Sequence, residues 1–79
     1  MKIEDMRIEA QLGMRIRYLR KSKKMSIEDL ALECGINRNY LCDLERGIRN
    51  PTLQMLDKIA NGFGISISEL TLGLQSINK

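Results

Sequence analysis

The sequence IEDLALECGINRNYLCDL, from Ile27 to Leu44, carries the clearest structural pattern in this 79-residue chain. Its apolar residues recur at helical spacing and are interrupted once, at Gly35, a residue that adopts the positive φ of a tight turn without strain. Two short helices joined by such a turn form a helix-turn-helix, which requires a small residue where the helices cross. Ala31 meets that requirement. The pattern therefore predicts a helix-turn-helix.

The second helix of this motif carries polar side chains on the face that packing leaves free. In helix-turn-helix proteins the first turn of this helix enters the major groove of DNA. Arg38 has a planar fork that matches O6 and N7 of guanine, and Asn39 can pair with N6 and N7 of adenine. Asn37 either caps its own helix or contacts a base. Asp43 either accepts from cytosine N4 or pairs with Arg46, and we favour the pair.

The composition favours a small domain that binds nucleic acid. The formal net charge is only +3, but residues 15–24 hold six cations and no acidic residue: Arg15, Arg17, Arg20, Lys21, Lys23 and Lys24. This run is either a solvated helix face or a surface that attracts phosphate, and its place just before the helix-turn-helix favours phosphate. A chain this short buries only about 60% of its unfolded surface, so its size also favours a partner subunit.

The cysteine and histidine content argues against chemistry other than binding. Cys34 falls at a core spacing and Cys42 lies on the second helix of the motif, so we expect reduced thiols and no metal site or disulfide. Because histidine is absent and no Ser, Cys or carboxylate pair has an active-site spacing, we expect neither an enzyme nor a cofactor. With no signal peptide and no span of about 20 apolar residues, we expect a cytoplasmic protein without membrane contact.

Cap and stop residues predict five helices in a single all-α domain, residues 1–79. The first helix runs from Ile8 to about Lys23, and its core face is predicted to consist of Ile8, Leu12, Ile16 and Leu19, at steps of four, four and three. Side chains at later helix starts can accept from free amide groups, and glycines at helix ends can adopt the left-handed conformation. The starts are Ser26, Asn37, Thr52 and Ser66, and the stops are Gly35, Gly47, Gly62 and Gly64. Ser26 with Asp29, and Ser66 with Glu69, have the spacing of a capping box.

The C-terminal segment, residues 66–79, carries more apolar side chains than a five-helix core of this size needs. These are Ile67, Leu72, Leu74 and Ile77. Two interpretations stay open, a cap on the core or an interface with a second copy of the chain. We predict a homodimer joined through this segment, which would set two recognition helices one DNA turn apart.

Two segments carry a family resemblance: MSIEDLALECGINRNYLCDLERG, residues 25–47, and ISISEL, residues 65–70. With them, residues 13–74 resemble the Cro/cI-type (XRE) helix-turn-helix regulators of bacteria and phages. Within that family, NRNYL followed by LERGIRN is most similar to the controller proteins of restriction-modification systems. The resemblance implies a lambda-repressor-like fold with the helix-turn-helix at helices 2 and 3. It also implies a dimer that binds a (pseudo)palindromic operator of double-stranded DNA and controls a restriction-modification operon that includes its own gene.

The resemblance implies DNA contacts for five residues. Arg38 and Asn39 would contact bases, and Tyr40 would contact the backbone and a base. Arg49 and Asn50 would reach DNA beside the recognition helix. The position of Arg49 in a loop beyond the helix end suits a cation that meets phosphate without sequence preference or enters a narrow minor groove.

The resemblance also implies an ion pair and one lost contact. Arg20 and Glu45 would form a buried pair that joins the first and third helices. Many family members carry a phosphate-binding glutamine where this chain has Ile27, so Ser26 or a backbone amide would have to replace that contact. Arg46, at the end of the third helix, is expected to position the protein on phosphates.

Other functions remain open within the same fold. A phage-type repressor would share every feature above, and an antitoxin would need a toxin-binding extension, for which the residues after Leu74 are too few. A protein-binding adaptor without DNA would be expected to show exposed apolar anchors on the third helix, where Arg38, Asn39 and Asp43 are polar. RNA polymerase is a further candidate partner for a regulator that activates transcription.

Overall fold

The structure, a computed structural model, describes residues 6–75. Its five α-helices are α1 Ile8–Ser22, α2 Ile27–Cys34, α3 Arg38–Glu45, α4 Leu53–Phe63 and α5 Ile67–Leu70. The described part of the chain contains no β-strand. The predicted all-α fold is confirmed, and every predicted helix is present within a residue or two of its expected bounds. None of these helices is both long enough and apolar enough to span a membrane.

Local hydrogen bonds at the helix starts follow the sequence closely. The Ser26 hydroxyl oxygen accepts from the Asp29 amide, and the Asp29 carboxylate accepts from the Ser26 amide, both at 3.0 Å. Ser66 and Glu69 form the same reciprocal arrangement at the start of α5. Thr52 accepts an amide hydrogen bond at the start of α4. The predicted capping boxes and the Thr52 cap are therefore confirmed.

The end of α4 differs from the prediction at one glycine. Gly64 ends the helix in the left-handed conformation, with φ at 72°. Gly62 lies inside the helix, and a Cβ atom at this position would collide with Sγ of Cys34 on α2. The prediction that Gly62 helps to stop the helix is therefore wrong. Its missing side chain allows α4 to pack closely against α2.

A second glycine brings α1 close to the end of α3. A Cβ atom at Gly13 would lie 2.5 Å from the carbonyl oxygens of both Leu44 and Glu45. Next to this contact, Gly47 adopts a φ of 79°, and a Cβ there would lie 2.8 Å from Cα of Ala10. These two contacts fix the C-terminal end of α3 against α1.

The core draws side chains from all five helices. Ile8, which was expected on the core face of α1 with Leu12 and Ile16, is instead 42% exposed, because it is the first residue of the helix and lies at the edge of the core. Ala31, the predicted small residue, is buried. The buried apolar residues are Leu12, Ile16, Leu30, Ala31, Cys34, Leu41, Leu44, Ile59, Ala60, Phe63 and Leu70.

Candidate nucleic-acid interface

The first turn of α3 lies on the surface and is held there by its cap. Oδ1 of Asn37 accepts from the amides of Asn39 and Tyr40 at 2.8 and 3.1 Å. The inner face of the helix is anchored by Leu41, which is fully buried. Arg38 and Asn39, in the first turn, are exposed. Of the two roles left open for Asn37, helix capping is therefore the one observed.

Arg38 is held by a residue of the neighbouring helix. Its Nε donates to Oε2 of Glu28 on α2 at 2.7 Å, and the two side chains are 51% and 63% exposed. This hydrogen bond lowers the pKa of Glu28 and raises the pKa of Arg38. Sequence reasoning missed the pair. Its only signal was opposite charge in the first turns of two adjoining helices.

Asp43 links the loop after α3 to the helix itself. Its carboxylate lies 3.6 Å from Nη1 of Arg46 and 3.3 Å from Nε of Arg49. The Arg49 guanidinium also lies over the ring of Tyr40, 5.4 Å from its centroid, in a cation–π contact. The pairing of Asp43 with Arg46 was expected, whereas its contact with Arg49 was not. Asn50 follows in the same loop and is exposed.

The predicted partners Arg20 and Glu45 are in contact across α1 and α3. Nε and Nη2 of Arg20 donate to the two carboxylate oxygens of Glu45 at 2.7 and 3.0 Å, and Nη1 donates to the Met25 carbonyl at 2.9 Å. The side chains are only 13% and 7% exposed. The hydrogen bond to Glu45 raises the pKa of Arg20. The pair holds the recognition helix in position from within.

Among the other cations of residues 15–24, Arg15 contacts a second helix and the remaining four are exposed. Nη2 of Arg15 donates to the carbonyl of Glu69 in α5 at 2.7 Å, and its guanidinium lies 5.8 Å from the centre of the Tyr18 ring. Arg15 therefore joins α1 to α5, a role that neither interpretation of the basic run included. The cations that remain exposed are Arg17, Lys21, Lys23 and Lys24.

At the start of α2, the Ser26 hydroxyl keeps a donor for DNA. The oxygen of Ser26 is used as a cap, but a hydroxyl also has a hydrogen to donate. Ile27, which stands where many family members have glutamine, is half-buried and packs against the core. Among residues 6–75 no group of three side chains is arranged to bind a metal ion.

The predicted dimer residues have different environments. Leu72 is 67% exposed, whereas Leu74 and Ile67 are half-buried and pack against the core. Ile77 lies outside the described residues. The core-cap interpretation therefore holds for Ile67 and Leu74. Leu72 is exposed, and its place in an interface stays a prediction.

A buried glutamine fastens the C-terminal segment to α1. Nε2 of Gln11 donates to the carbonyls of Met6 and Gln75, both at 2.7 Å, and Oε1 accepts from the Gln75 amide at 2.8 Å. Gln11 is only 1% exposed. Met14 and Tyr18, 51% and 64% exposed, line a groove beside this segment. The exposed apolar surface at Leu72 thus continues onto α1.

Comparisons with known proteins agree with the helix-turn-helix arrangement of α2 and α3. A protein-family model described as helix-turn-helix matches residues 16–70. The control protein C.BamHI of Bacillus amyloliquefaciens is 41% identical over 64 residues, which are 80% of this chain and 79% of that protein. The crystal structure of the restriction-modification controller protein C.AhdI from Aeromonas hydrophila has a TM-score of 0.76 and 39% identity over 78% of this chain and 94% of that one.

A third similar protein has been solved with DNA. The controller protein C.Esp1396I, as a tetramer in complex with its natural 35 base-pair operator, has a TM-score of 0.75 and 29% identity over 82% of this chain and 90% of that chain. The family match begins in the middle of α1 and ends with α5, so it contains the whole helix-turn-helix. The chain therefore belongs to the helix-turn-helix family of DNA-binding transcriptional regulators.

Proposed function

We propose that this protein recognises a (pseudo)palindromic operator by placing α3 in the major groove. The observation that carries the proposal is the first turn of α3, where Arg38 and Asn39 are exposed while Leu41 anchors the helix in the core. Guanidinium and amide groups have the hydrogen-bonding geometry of guanine and adenine edges, so these two residues are the proposed base readers.

The remaining predicted contacts fit the DNA backbone. A surface with several cations beside the recognition helix attracts phosphates without reading sequence. Asn37 and Asp43 have supporting roles. Asn37 caps α3, and Asp43 pairs with Arg49 in the loop that follows the helix. The residues proposed to meet phosphate or sugar are Ser26, Tyr40, Arg46, Arg49 and Asn50.

The regulated genes are proposed to be those of a restriction-modification operon that includes the gene of this protein. The likeness to C.BamHI and C.AhdI covers 79% and 94% of those proteins, so it extends over most of each chain. The proposed location is the cytoplasm, because that compartment would hold the operator DNA. A protein-binding adaptor is disfavoured by the polar outward face of α3.

The proposed assembly is a two-fold symmetric homodimer. An exposed apolar surface at Leu72, continued by Met14 and Tyr18, is available for a second copy of the chain. A two-fold axis through this surface would relate two α3 helices, which must lie about 34 Å apart to enter successive major grooves. The tetramer on a 35 base-pair operator is a property of C.Esp1396I. It supports an oligomeric regulator on DNA for this chain as well.

In vitro selection of bound duplexes from a random pool tests the proposed function. The expected result is one enriched motif with two half-sites related by approximate two-fold symmetry, their centres about 10 base pairs apart. Guanine and adenine should be the bases within reach of Arg38 and Asn39. A pool that remains random after repeated selection would contradict sequence-specific recognition.

A further inference from the structure

We propose that Glu28 is a positioning residue that orients the guanidinium of Arg38 for base reading and so determines specificity without itself contacting a base. The inference rests on the proposed function, because it concerns how one base reader is held. It adds a residue of α2 to the base-reading machinery, whose proposed readers Arg38 and Asn39 both belong to α3.

The geometry of the contact leaves the reading edge of Arg38 free. Glu28 accepts from Nε, at the stem side of the guanidinium, at 2.7 Å. The two Nη groups at the far edge have no partner among the described residues. Those two groups form the parallel pair of donors that can bind O6 and N7 of guanine together. The carboxylate therefore fixes the arginine while leaving its bidentate edge available.

The exposure of the pair argues against a role in folding. The two side chains are 51% and 63% exposed, and exposed ion pairs contribute little to stability. A long arginine side chain loses rotamer freedom when it docks on a base, and holding it beforehand lowers that cost. The carboxylate also partly neutralises Arg38, which weakens its attraction to phosphates in general. Both effects raise the preference for the correct site over random DNA.

Glu28 has one other explanation, which does not involve Arg38. It lies in the first turn of α2, where a carboxylate interacts favourably with the helix dipole. That role would be independent of the side chain at position 38. A double-mutant cycle separates the two roles, because it measures how strongly the effect of one substitution depends on the other.

The cycle consists of the full-length wild type, Glu28→Ala, Arg38→Ala and the double variant. Each is titrated against the duplex that the wild type selects from a random pool and against a shuffled duplex of the same composition. The quantity compared is the specificity ratio, the Kd for the shuffled duplex divided by the Kd for the selected one. Glu33→Ala is the matched control, because Glu33 is an exposed carboxylate of the same helix with no ion pair in the described part of the chain.

The proposal predicts that Glu28→Ala lowers the specificity ratio about fivefold or more, since a good bidentate contact is worth about 5- to 150-fold. Glu33→Ala should tighten binding to both duplexes and leave the ratio unchanged. In the Arg38→Ala background, Glu28→Ala should have no further effect on the ratio. Glu28→Gln keeps an acceptor oxygen for Nε and should retain most of the preference, while the thermal midpoint stays near that of the wild type.

Two results would overturn the inference while leaving the proposed function intact. One is an equal ratio in Glu28→Ala and Glu33→Ala, and the other is the same effect of Glu28→Ala with and without Arg38. If the wild type itself shows no preference for any duplex, the proposed function fails and the inference fails with it. The wild-type titration therefore distinguishes the two failures.

Discussion

Two arginine–glutamate pairs in this molecule have the same closest distance but very different exposure. Arg20 with Glu45 and Arg38 with Glu28 both have a closest contact of 2.7 Å. The first pair is only 13% and 7% exposed, whereas both members of the second are more than half exposed. Removing one member of a buried pair leaves an uncompensated charge in a poorly solvated place. The first pair should therefore matter for stability and the second for DNA.

Glu45→Ala is expected to lower the free energy of unfolding by about 3 kcal/mol, because it strands the Arg20 guanidinium between α1 and α3. Thermal and urea unfolding followed by circular dichroism measure this change. Glu33→Ala, which removes an exposed carboxylate, should move the thermal midpoint by no more than about 2 to 4 °C. If Glu45→Ala is no more destabilising than this control, the pair behaves as a surface contact.

The sequence indicated which residues of α3 are exposed, but not that Glu28 contacts Arg38. The exposure of Asn39 follows from helical register, because Leu41 must point inward, and that of Arg38 follows from its place as the first residue after the Asn37 cap. The partner of Arg38 depends on how α2 and α3 cross and on side-chain rotamers, which no local pattern records. The same holds for Arg15, whose run of cations suggested phosphate binding. Its contact with Glu69 requires the C-terminal helix to pack against α1.

At the scale of the helices, the sequence predicted the caps at helix starts but not the places where two helices pack closely. The capping boxes of Ser26 and Ser66 involve residues three apart, so their sequence spacing predicts them directly. Gly13 and Gly62 look like ordinary or helix-stopping glycines in the sequence. In the folded protein each lies where a neighbouring helix approaches too closely for a side chain. Contacts between distant segments therefore account for what the sequence pattern missed.

Gly62→Ala is expected to destabilise the protein, although alanine is the better helix former by about 1 kcal/mol. The added methyl group would collide with the Cys34 side chain, and such overpacking costs about 1 to 3 kcal/mol. Asn61→Ala is the control, because Asn61 is exposed on the same turn of α4. It should be neutral or slightly stabilising in chemical unfolding. A Gly62→Ala variant as stable as Asn61→Ala would show that a methyl group fits between α2 and α4.

Cys34 should make stability depend on alkaline pH. Burial raises the pKa of this thiol from 9.0 to about 11. The folded state therefore keeps its proton while the unfolded state loses it, so stability falls as pH rises from about 9 to about 11, by ~1 kcal/mol at pH 10. Urea unfolding at pH 8 and pH 10 should show a larger loss for the wild type and Cys42→Ser than for Cys34→Ala. Equal losses in all three proteins would contradict the shift.

At the scale of the whole molecule, the described residues present two surfaces of different chemistry. One is the polar surface of α3 and its following loop, and the other is the apolar surface around Leu72, Met14 and Tyr18. The proposed dimer would use the second surface to space two copies of the first. Gln11 contributes to this arrangement, because it fixes the segment that carries Leu72 to α1.

Leu72→Glu is expected to break the dimer by placing a charge in its apolar interface. Sedimentation at tens of micromolar should show a dimer for the wild type and a monomer for the variant. Leu32→Glu is the matched control, because Leu32 is 83% exposed on α2, and it should remain dimeric. Leu74 is less suitable, since it packs against the core. A Leu72→Glu variant with the mass of the wild type would place the interface elsewhere.

The central claim is that α3 reads bases while the loop beyond it holds phosphate. The most direct measurement is a titration of the wild type, Arg38→Ala and Arg49→Ala against the selected and the shuffled duplex at several salt concentrations. Arg49→Ala should weaken both complexes about equally and flatten the slope of log K against log salt by ~1 per contact. Arg38→Ala should lose about 5- to 150-fold on the selected duplex and much less on the shuffled one. An equal loss on both duplexes for Arg38→Ala would contradict base reading by α3.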